Sequence, residues 1–414
     1  MPRIFSDWLT AYEEYADDGF VPPQFNRWAG LSVIAGALER RVWLPWSDSF
    51  AYYPKIYVLL VALPGDGKSV ALNKAIALLE DVNAKTGLLN IMPTQVTEAK
   101  FIELMGQGRS FSEGTTIHFQ NAGYYWASEA SNGLKNVFGD FIACLTDFYD
   151  CPKTWSRATK KDGNKISLRN VCMNMIAGST FDYLGKLVND ENIMGGFASR
   201  LIYIVSRNKQ VNDQEFQLGS QTDKEKAARL KYKAALVSDL TDIAKLIGPM
   251  YGSPEFGKAW ESWYPTYERK RRAMQSEKAQ SIMARANPNM LKVAMLLSAS
   301  ESNDRELKLH HWEKAQRFIT EIQSETLDIF RMAKANSSNG TNRLDTISNS
   351  ILMKVKNNPG ISHENIVNGL SMQHSKPLID QAINAMLSMN LIKITEVGPG
   401  CRKLKLLGDP DNYL

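Results

Sequence analysis

The sequence predicts an α/β protein with a mainly parallel sheet, a helical subdomain after it, and a small helix-turn-helix domain at the C-terminus. Three observations predict this. The run "IYVLLVAL" (56–63) is continuously apolar, as a strand buried on both faces of a parallel sheet must be, and it leads through the glycine-rich turn "PGDGKS" into a helical stretch. Apolar and helical segments then alternate through residue 206: "AGYYWASE", "DFIACLTDFYD", "VCMNMIAGST", "LGKLVNDENI" and "SRLIYIVS". From about residue 220 the apolar spacing becomes helical, and it breaks only at the polar, Gly- and Asn-bearing stretch "KANSSNGTNRLD".

These shifts divide the chain into an N-terminal helical segment (1–46), a nucleotide-binding core (47–210), a helical subdomain (211–335), a linker (336–344) and a C-terminal domain (345–414). At 414 residues the chain is too long for one compact domain. No apolar run approaches the ~18–20 residues of a membrane span, and "MPRIFSDWLTAYEEYADDGF" lacks the order of a signal peptide, so the expectation is a cytoplasmic protein without membrane contact. The four cysteines (Cys144, Cys151, Cys172, Cys401) form no CxxC pair and have no histidine at finger-like spacing. Reduced, mostly buried thiols are expected. A net charge of +5 permits a nucleic-acid partner without demanding one.

In the N-terminal segment Trp28, Leu31, Ile34, Ala35 and Leu38 fall at helical spacing, followed by Arg40 and Arg41. These two arginines fit either the end of a packed helix or a reach toward a nucleotide or a neighbouring subunit. Next comes the glycine turn. The pattern GxxxxGK[ST] is met at Gly67, Lys68 and Ser69 but carries Ala62 in place of its first glycine. Gly65 and Gly67 let the backbone approach a phosphate closely, and the following helix offers its positive end. Pro64, Asp66 and Val70 complete the cradle. The ligands this predicts are ATP and Mg²⁺, with Lys68 on the β- and γ-phosphates and the Ser69 hydroxyl on the metal.

Hydrolysis needs a carboxylate to orient and activate water, and Glu129 follows the strand-forming "GYYWAS". Its rivals Asp147 and Asp150 belong to a stretch whose Phe141, Leu145, Phe148 and Tyr149 fit a helix. A third strand, "VCMNMIAGST", ends in Ser179 and Thr180, polar groups suited to sensing a γ-phosphate. Arg200 then opens another apolar strand, either as a finger inserted into the neighbouring subunit's site or as a structural cap. Arg285 and Lys292 are further candidates for a γ-phosphate contact from the helical subdomain. His310 and His311 are adjacent on a predicted helix and are expected to point in different directions.

The ordered set "FNRWAGLSVIAGALERRVWLP", "YVLLVALPGDGKS", "WASE", "TWSRATKKDGNKISLRNVCMNMIAGST" and "GGFASRLIYIV" resembles the helicase-like, primase-associated ATPases of phages and mobile elements. These are similar in turn to superfamily III and AAA+ replicative helicases. The resemblance covers roughly residues 5 to 300. It implies an AAA+-like P-loop NTPase core and a ring-shaped homo-oligomer, a hexamer, that hydrolyses ATP at subunit interfaces. The chain departs from the pattern at Ala62 and at Ser128, where many such ATPases carry a Mg²⁺-supporting Asp.

Between Glu129 and the third strand, Lys153, Arg157, Lys160, Lys161 and Lys165 surround the hairpin signal "DGN". Several cations on a protruding ribbon engage phosphates without reading sequence. In superfamily III helicases such a hairpin enters the channel and tracks single-stranded DNA, and this ribbon resembles it. Trp155 either stacks on a base or packs the ribbon's root. The C-terminal domain reads as three short helices and two strands, the order of a winged helix-turn-helix. Its recognition helix would start at Ser375, with Pro377 in the first turn and Gln373, His374, Lys376 and Gln381 facing DNA, while Arg402, Lys403 and Lys405 set the wing on phosphates. Such domains also dock proteins. The function expected is an ATP-dependent DNA helicase or translocase in phage or mobile-element replication. The alternatives are a non-unwinding, DNA-organising or loading ATPase switch and a DNA-binding regulator on a P-loop scaffold.

Overall fold

A computed structural model of the chain describes residues 3–129, 140–158, 165–181, 184, 196–206, 222–275, 277–337, 343–371, 374–388, 391–398 and 401–406. Helix α1 (Trp8–Ala16) is capped by Asp7, whose carboxylate accepts the Leu9 amide. Helix α2 (Pro23–Leu38) has Pro at its first position and is buried almost all round, with Trp28, Leu31, Ile34, Ala35 and Leu38 inside as their spacing predicts. Strand β1 (Val42–Ser47) pairs with β2 (Phe50–Tyr52), so the division expected at residue 46 falls inside a strand.

Strand β3 (Tyr57–Val61) is wholly buried and leads into α3 (Lys68–Thr86), a helix bounded by left-handed Gly67 and Gly87. Helix α4 (Glu98–Met105) is followed by the antiparallel pair β4 (Arg109–Glu113) and β5 (Thr116–Ala127). Helix α5 (Asp140–Tyr149) holds Asp147, as its apolar spacing predicts. The ribbon β6 (Thr154–Ala158) and β7 (Lys165–Arg169) precedes β8 (Val171–Ser179) and β9 (Ile202–Val205).

Among the described residues five strands form the central sheet in the order β4-β5-β8-β3-β9, parallel except for β4. The register pairs Val61 with both Ser179 and Val205, and Ala127 with Ala177. The C-terminal ends of β3, β5, β8 and β9 therefore share one edge. Side chains alternate between the two faces of the sheet. Val58, Leu60, Ile176, Ile202 and Ile204 pack on α1, α2 and α3, whereas Leu59, Val61, Met175, Ala177 and Tyr203 pack on Phe101 of α4 and Phe141, Leu145 and Phe148 of α5. The result is helices on both faces of a mostly parallel sheet.

The later helices are α6 (Asp223–Ala244), which starts in a Thr222–Glu225 capping box, α7 (Pro254–Arg272), α8 (Glu277–Met283), α9 (Ala286–Glu301) and α10 (Leu309–Ser337). Leu236, Leu240, Met290, Leu291 and Trp312 from this region join the same core as α1–α3. Two-residue strands β10 (Gly248–Pro249), β11 (Tyr251–Gly252) and β12 (Glu306–Leu307) tie the region down, β10 to β1 and β11 to β12. Of the linker expected at 336–344, the helical ends at Ser337 and Arg343 are described and the residues between lie outside the described set.

The C-terminal unit comprises α11 (Arg343–Asn357), α12 (His363–Leu370), α13 (Lys376–Ser388) and the antiparallel ribbon β13 (Ile392–Gly398) and β14 (Cys401–Leu406). It has its own core of Ile347, Ile351, Ile366, Ile379, Ile383, Ile392 and Leu404. No helix of the described residues is long and apolar enough to cross a membrane.

Candidate functional site

The turn from β3 to α3 is built by its glycines. Gly65 has φ +89° and open space around its Cα, and Gly67 has φ +77° with Val21 and Phe20 packed against it. Both conformations are ones that L side chains rarely adopt. Pro64 and Gly65 are exposed, Asp66 and Lys68 are buried, and Ser69 and Val70 face outward in the first turn of α3, so Val70 lies outside the core formed by Leu72, Ile76, Leu79 and Val82. The Lys68 ammonium folds back on the turn and donates to the carbonyls of Ala62 (2.9 Å) and Leu63 (2.7 Å). Burial lowers its pKa, opposed by the charges of Asp66 and Glu129. Ala62 is buried, its φ is not positive, and its amide donates to the Ser179 carbonyl.

β8 lies between β3 and β5, so the ends of all three strands meet here. Gly178 makes that possible: a Cβ on it would stand 2.4 Å from the Ser128 carbonyl oxygen and 3.6 Å from the Lys68 Cβ. Lys68, Ser128, Glu129, Ser179 and Thr180 thus gather at one sheet edge. Glu129 is exposed and Ser179 is buried, its hydroxyl donating to the Thr180 carbonyl. The turn fits a phosphate, with a desolvated ammonium, glycines at positive φ and the N-terminus of a 19-residue helix. For a hard divalent cation it offers the exposed Ser69 hydroxyl, with a hydroxyl at Ser128 in place of a carboxylate. No protein-family model matches the chain, and no curated protein matches it in sequence.

Arg285 and Lys292 do not reach the glycine turn of their own chain. Both lie beside Tyr149 at the opposite edge of the sheet from the glycine turn of their own chain, Arg285 at 5.6 Å and the Lys292 ammonium at 4.3 Å from the ring centroid. The Tyr149 ring packs edge-on against Tyr57, the first residue of β3, and the turn follows the last. Arg285 lines a shallow cleft with Ala198, Asn289, Gln323 and Thr326. Arg200 sits at this far edge too, just before β9. It is 13% exposed and donates to Asp150 (2.7 Å) and to the Gly196 carbonyl (2.8 Å). Arg40 is likewise structural, donating to the carbonyls of Cys151 and Val171 and to the Tyr53 hydroxyl, while Arg41 pairs with buried Glu39.

The β6–β7 ribbon forms with Ala158 opposite Lys165, while its tip, with Lys160 and Lys161, lies outside the described residues. Trp155 packs the root: its Nε1 donates to Asp147 and its ring meets Phe148 edge-on. Arg157 shares Trp155's face by alternation and pairs with Glu98 of α4, so its guanidinium is engaged within the chain. Lys153 is exposed. In the C-terminal unit Lys376, Gln381 and Lys403 are exposed and His374 is half-buried; Gln373 lies outside the described residues. The backbones of Arg402 and Lys405 pair with Glu396 and Lys393 across the ribbon.

The two adjacent histidines overturn another expectation. His310 and His311 both reach the same Glu301 oxygen, at 2.7 and 3.0 Å. They sit where α10 begins, next to the end of α9, so one carboxylate serves both. His311 Nδ1 accepts the Lys308 amide, which leaves the proton on Nε2. A nitrogen carrying its proton cannot ligate a metal, so the trio works as a helix tie. Sequence reasoning also missed Phe20 and Val21 beside Gly67 and the close approach at Gly178. For the latter a glycine inside an apolar strand was the available signal.

Proposed function

We propose that the chain is an ATP-dependent motor on nucleic acid, a P-loop NTPase of AAA+-like layout that acts as a DNA helicase or translocase in phage or mobile-element replication. The observation that supports this reading is the position of β8 between β3 and β5, which brings the strand ends that carry Lys68, Glu129 and the Ser179–Thr180 pair to one sheet edge. A phosphate in the glycine turn would draw the Lys68 ammonium from the Ala62 and Leu63 carbonyls. Glu129 would orient water for attack, and Ser179 or Thr180 would hold the far side of the γ-phosphate. Mg²⁺ with the nucleotide supplies charge neutralisation, and the Ser69 hydroxyl would hold it.

Arg200 and Arg285 lie at the far edge, so neither assists the glycine turn of its own chain. Any phosphate contact they make belongs to a neighbouring copy in a homo-oligomeric ring, taken here as a hexamer. The exposed Lys153 and the ribbon tip would grip single-stranded DNA, and the C-terminal unit, read as a winged helix, would hold duplex DNA or a partner through Lys376, Gln381 and Lys403.

A strand-displacement assay with parallel ATPase measurement tests this. The motor reading expects DNA-stimulated turnover and displacement, both lost in Lys68→Ala, with displacement alone lost in Lys160→Ala/Lys161→Ala. A second reading, a nucleotide switch that does not unwind, is favoured by Ser128 and by the in-chain bonds of Lys68. Turnover with neither DNA stimulation nor displacement would decide for it, and no turnover at all would leave the regulator on a P-loop scaffold.

A further inference from the structure

At the far edge of the sheet, opposite the glycine turn, two lysines are buried without an acidic partner. Lys55 is 4% exposed and Lys292 is 3% exposed. Among the described residues no ion pair joins either to a carboxylate; Asp150 also acts on Lys292 but is held by Arg200. Their ammonium groups instead lie 3.4 and 4.3 Å from the centroid of one ring, Tyr149, and Lys292 donates to its hydroxyl at 3.0 Å. Buried cations without a counter-charge are costly. The group whose charge acts on both lysines against their burial is the Cys151 thiol, and Arg40 holds the Cys151 carbonyl.

The backbone delivers a second thiol to the same place. The Val171 amide donates to the Pro152 carbonyl and the Asn170 amide to that of Lys153, which extends the β6–β7 pairing toward the body of the protein. Cys151 and Cys172 then pack together with Ala122 in one small buried cluster. Cys151 adopts a left-handed conformation (φ 49°) and its carbonyl is fixed by Arg40 at 2.7 Å.

We infer that Cys151 and Cys172 form a peroxide-sensitive thiol pair, with Cys151, on the side of the cations, as the attacking sulfur and Cys172 as the resolving thiol. Burial by itself would raise the Cys151 pKa, but the hydrogen bond from Cys172 and the charges of Lys55, Arg40 and Lys292 outweigh it and lower it. Cys172, which packs against Cys151 and is fully buried, is shifted the other way, upward. Cys144 is the internal contrast: buried beside Glu98, it is pushed up to about 12.

The Cys151 sulfur attacks one oxygen of hydrogen peroxide and the O–O bond breaks. Hydroxide leaves and takes a proton from solvent to become water, and Cys151 is oxidised to a sulfenic acid. Cys172 then gives its proton to the sulfenic hydroxyl as its sulfur displaces it, forming the S–S bond and a second water. Two thiols thereby lose two electrons and two hydrogens to one peroxide.

The test uses the full chain with Cys144→Ser and Cys401→Ser. Ultraviolet thiolate absorbance should be present at neutral pH, absent in Cys151→Ser, and reduced about tenfold in Lys55→Met or, should that variant not fold, in Lys292→Met. Hydrogen peroxide should remove two hydrogens and give one cross-linked peptide pair containing both residues, reversed by dithiothreitol. In Cys172→Ser the sulfenic acid should persist and react with dimedone. Thiolate absorbance at neutral pH that survives Cys151→Ser, or peroxide treatment that produces no Cys151–Cys172 link, overturns the inference. If the Ser background does not fold, peptide mapping of the unmodified chain decides the link in the same way.

Discussion

Gly178 on β8 lies against the carbonyl oxygen of Ser128, so close that a Cβ at 178 would stand 2.4 Å from it. That contact brings the carboxylate-bearing end of β5 to the Lys68 turn. Gly178→Ala must push the strand ends apart. We expect nucleotide turnover to fall by at least about tenfold, because reacting groups displaced by tenths of an ångström lose alignment, and stability to fall by about 1–3 kcal/mol from overpacking. Steady-state hydrolysis and urea unfolding check both. Parental turnover in a folded Gly178→Ala chain would remove Ser128 and Glu129 from the site.

Ala62 replaces the first glycine of the phosphate-loop pattern, and its backbone does not use a glycine-only conformation. Its Cβ is buried against the core of α2 and α3. Ala62→Gly is therefore expected to leave nucleotide affinity and turnover within about twofold while lowering stability by about 1 kcal/mol, through backbone freedom and a lost buried methyl. Isothermal titration and thermal unfolding separate the two effects. A large gain in turnover would show that Ala62 is a defect in the loop.

Much of the parallel sheet was legible in the sequence because a strand buried on both faces has no polar alternation to mislead. "IYVLLVAL" and "VCMNMIAGST" both appear as central strands. The glycine turn was legible because only Gly tolerates φ +77° and +89°. What was illegible was three-dimensional adjacency. Nothing local in "MARANPNMLKVAML" tells that Arg285 and Lys292 face Tyr149, 136 and 143 positions earlier, instead of a phosphate. Arg157 read as a ribbon cation because its partner Glu98 lies 59 residues away. His310 and His311 misled for a different reason: helical angular spacing does not govern side chains at a helix start that share one long carboxylate.

The ribbon offers a contrast between two cations. Lys153 is exposed, whereas Arg157 is held by Glu98 on the inward face. Lys153→Ala is expected to flatten the dependence of log affinity for single-stranded DNA on log salt by about 0.7, the signature of one lost phosphate contact. Arg157→Ala is expected to leave that slope alone and to cost about 1 kcal/mol of stability, since the pair is only partly shielded from solvent. Fluorescence anisotropy across a salt series, with denaturation in parallel, distinguishes them. Equal slope changes in both variants would place Arg157 on the DNA-facing side.

Lys55 and Lys292 give the fold a pH dependence of defined sign. Burial is the main cause that holds both down at about 8, with the Cys151 charge pulling the other way, Lys292 adding to the depression of Lys55 and Arg285 to that of Lys292. In the unfolded chain each keeps its proton to about pH 10.4. Below about pH 8 both states are protonated and the folded chain carries the cost of the buried charges that the Cys151 charge leaves uncompensated. Between about pH 8 and 10 the unfolded state binds more protons than the folded one, so stability rises with pH. Lys292→Met removes one such group while retaining its packing volume. The stability difference between Lys292→Met and the parent is therefore expected to be greatest near pH 7 and to shift in the parent's favour by roughly 1–2 kcal/mol by about pH 10, read from urea unfolding at each pH. A difference that stays constant across this range would mean that Lys292 keeps its proton in the folded chain, with Cys151 supplying a full counter-charge.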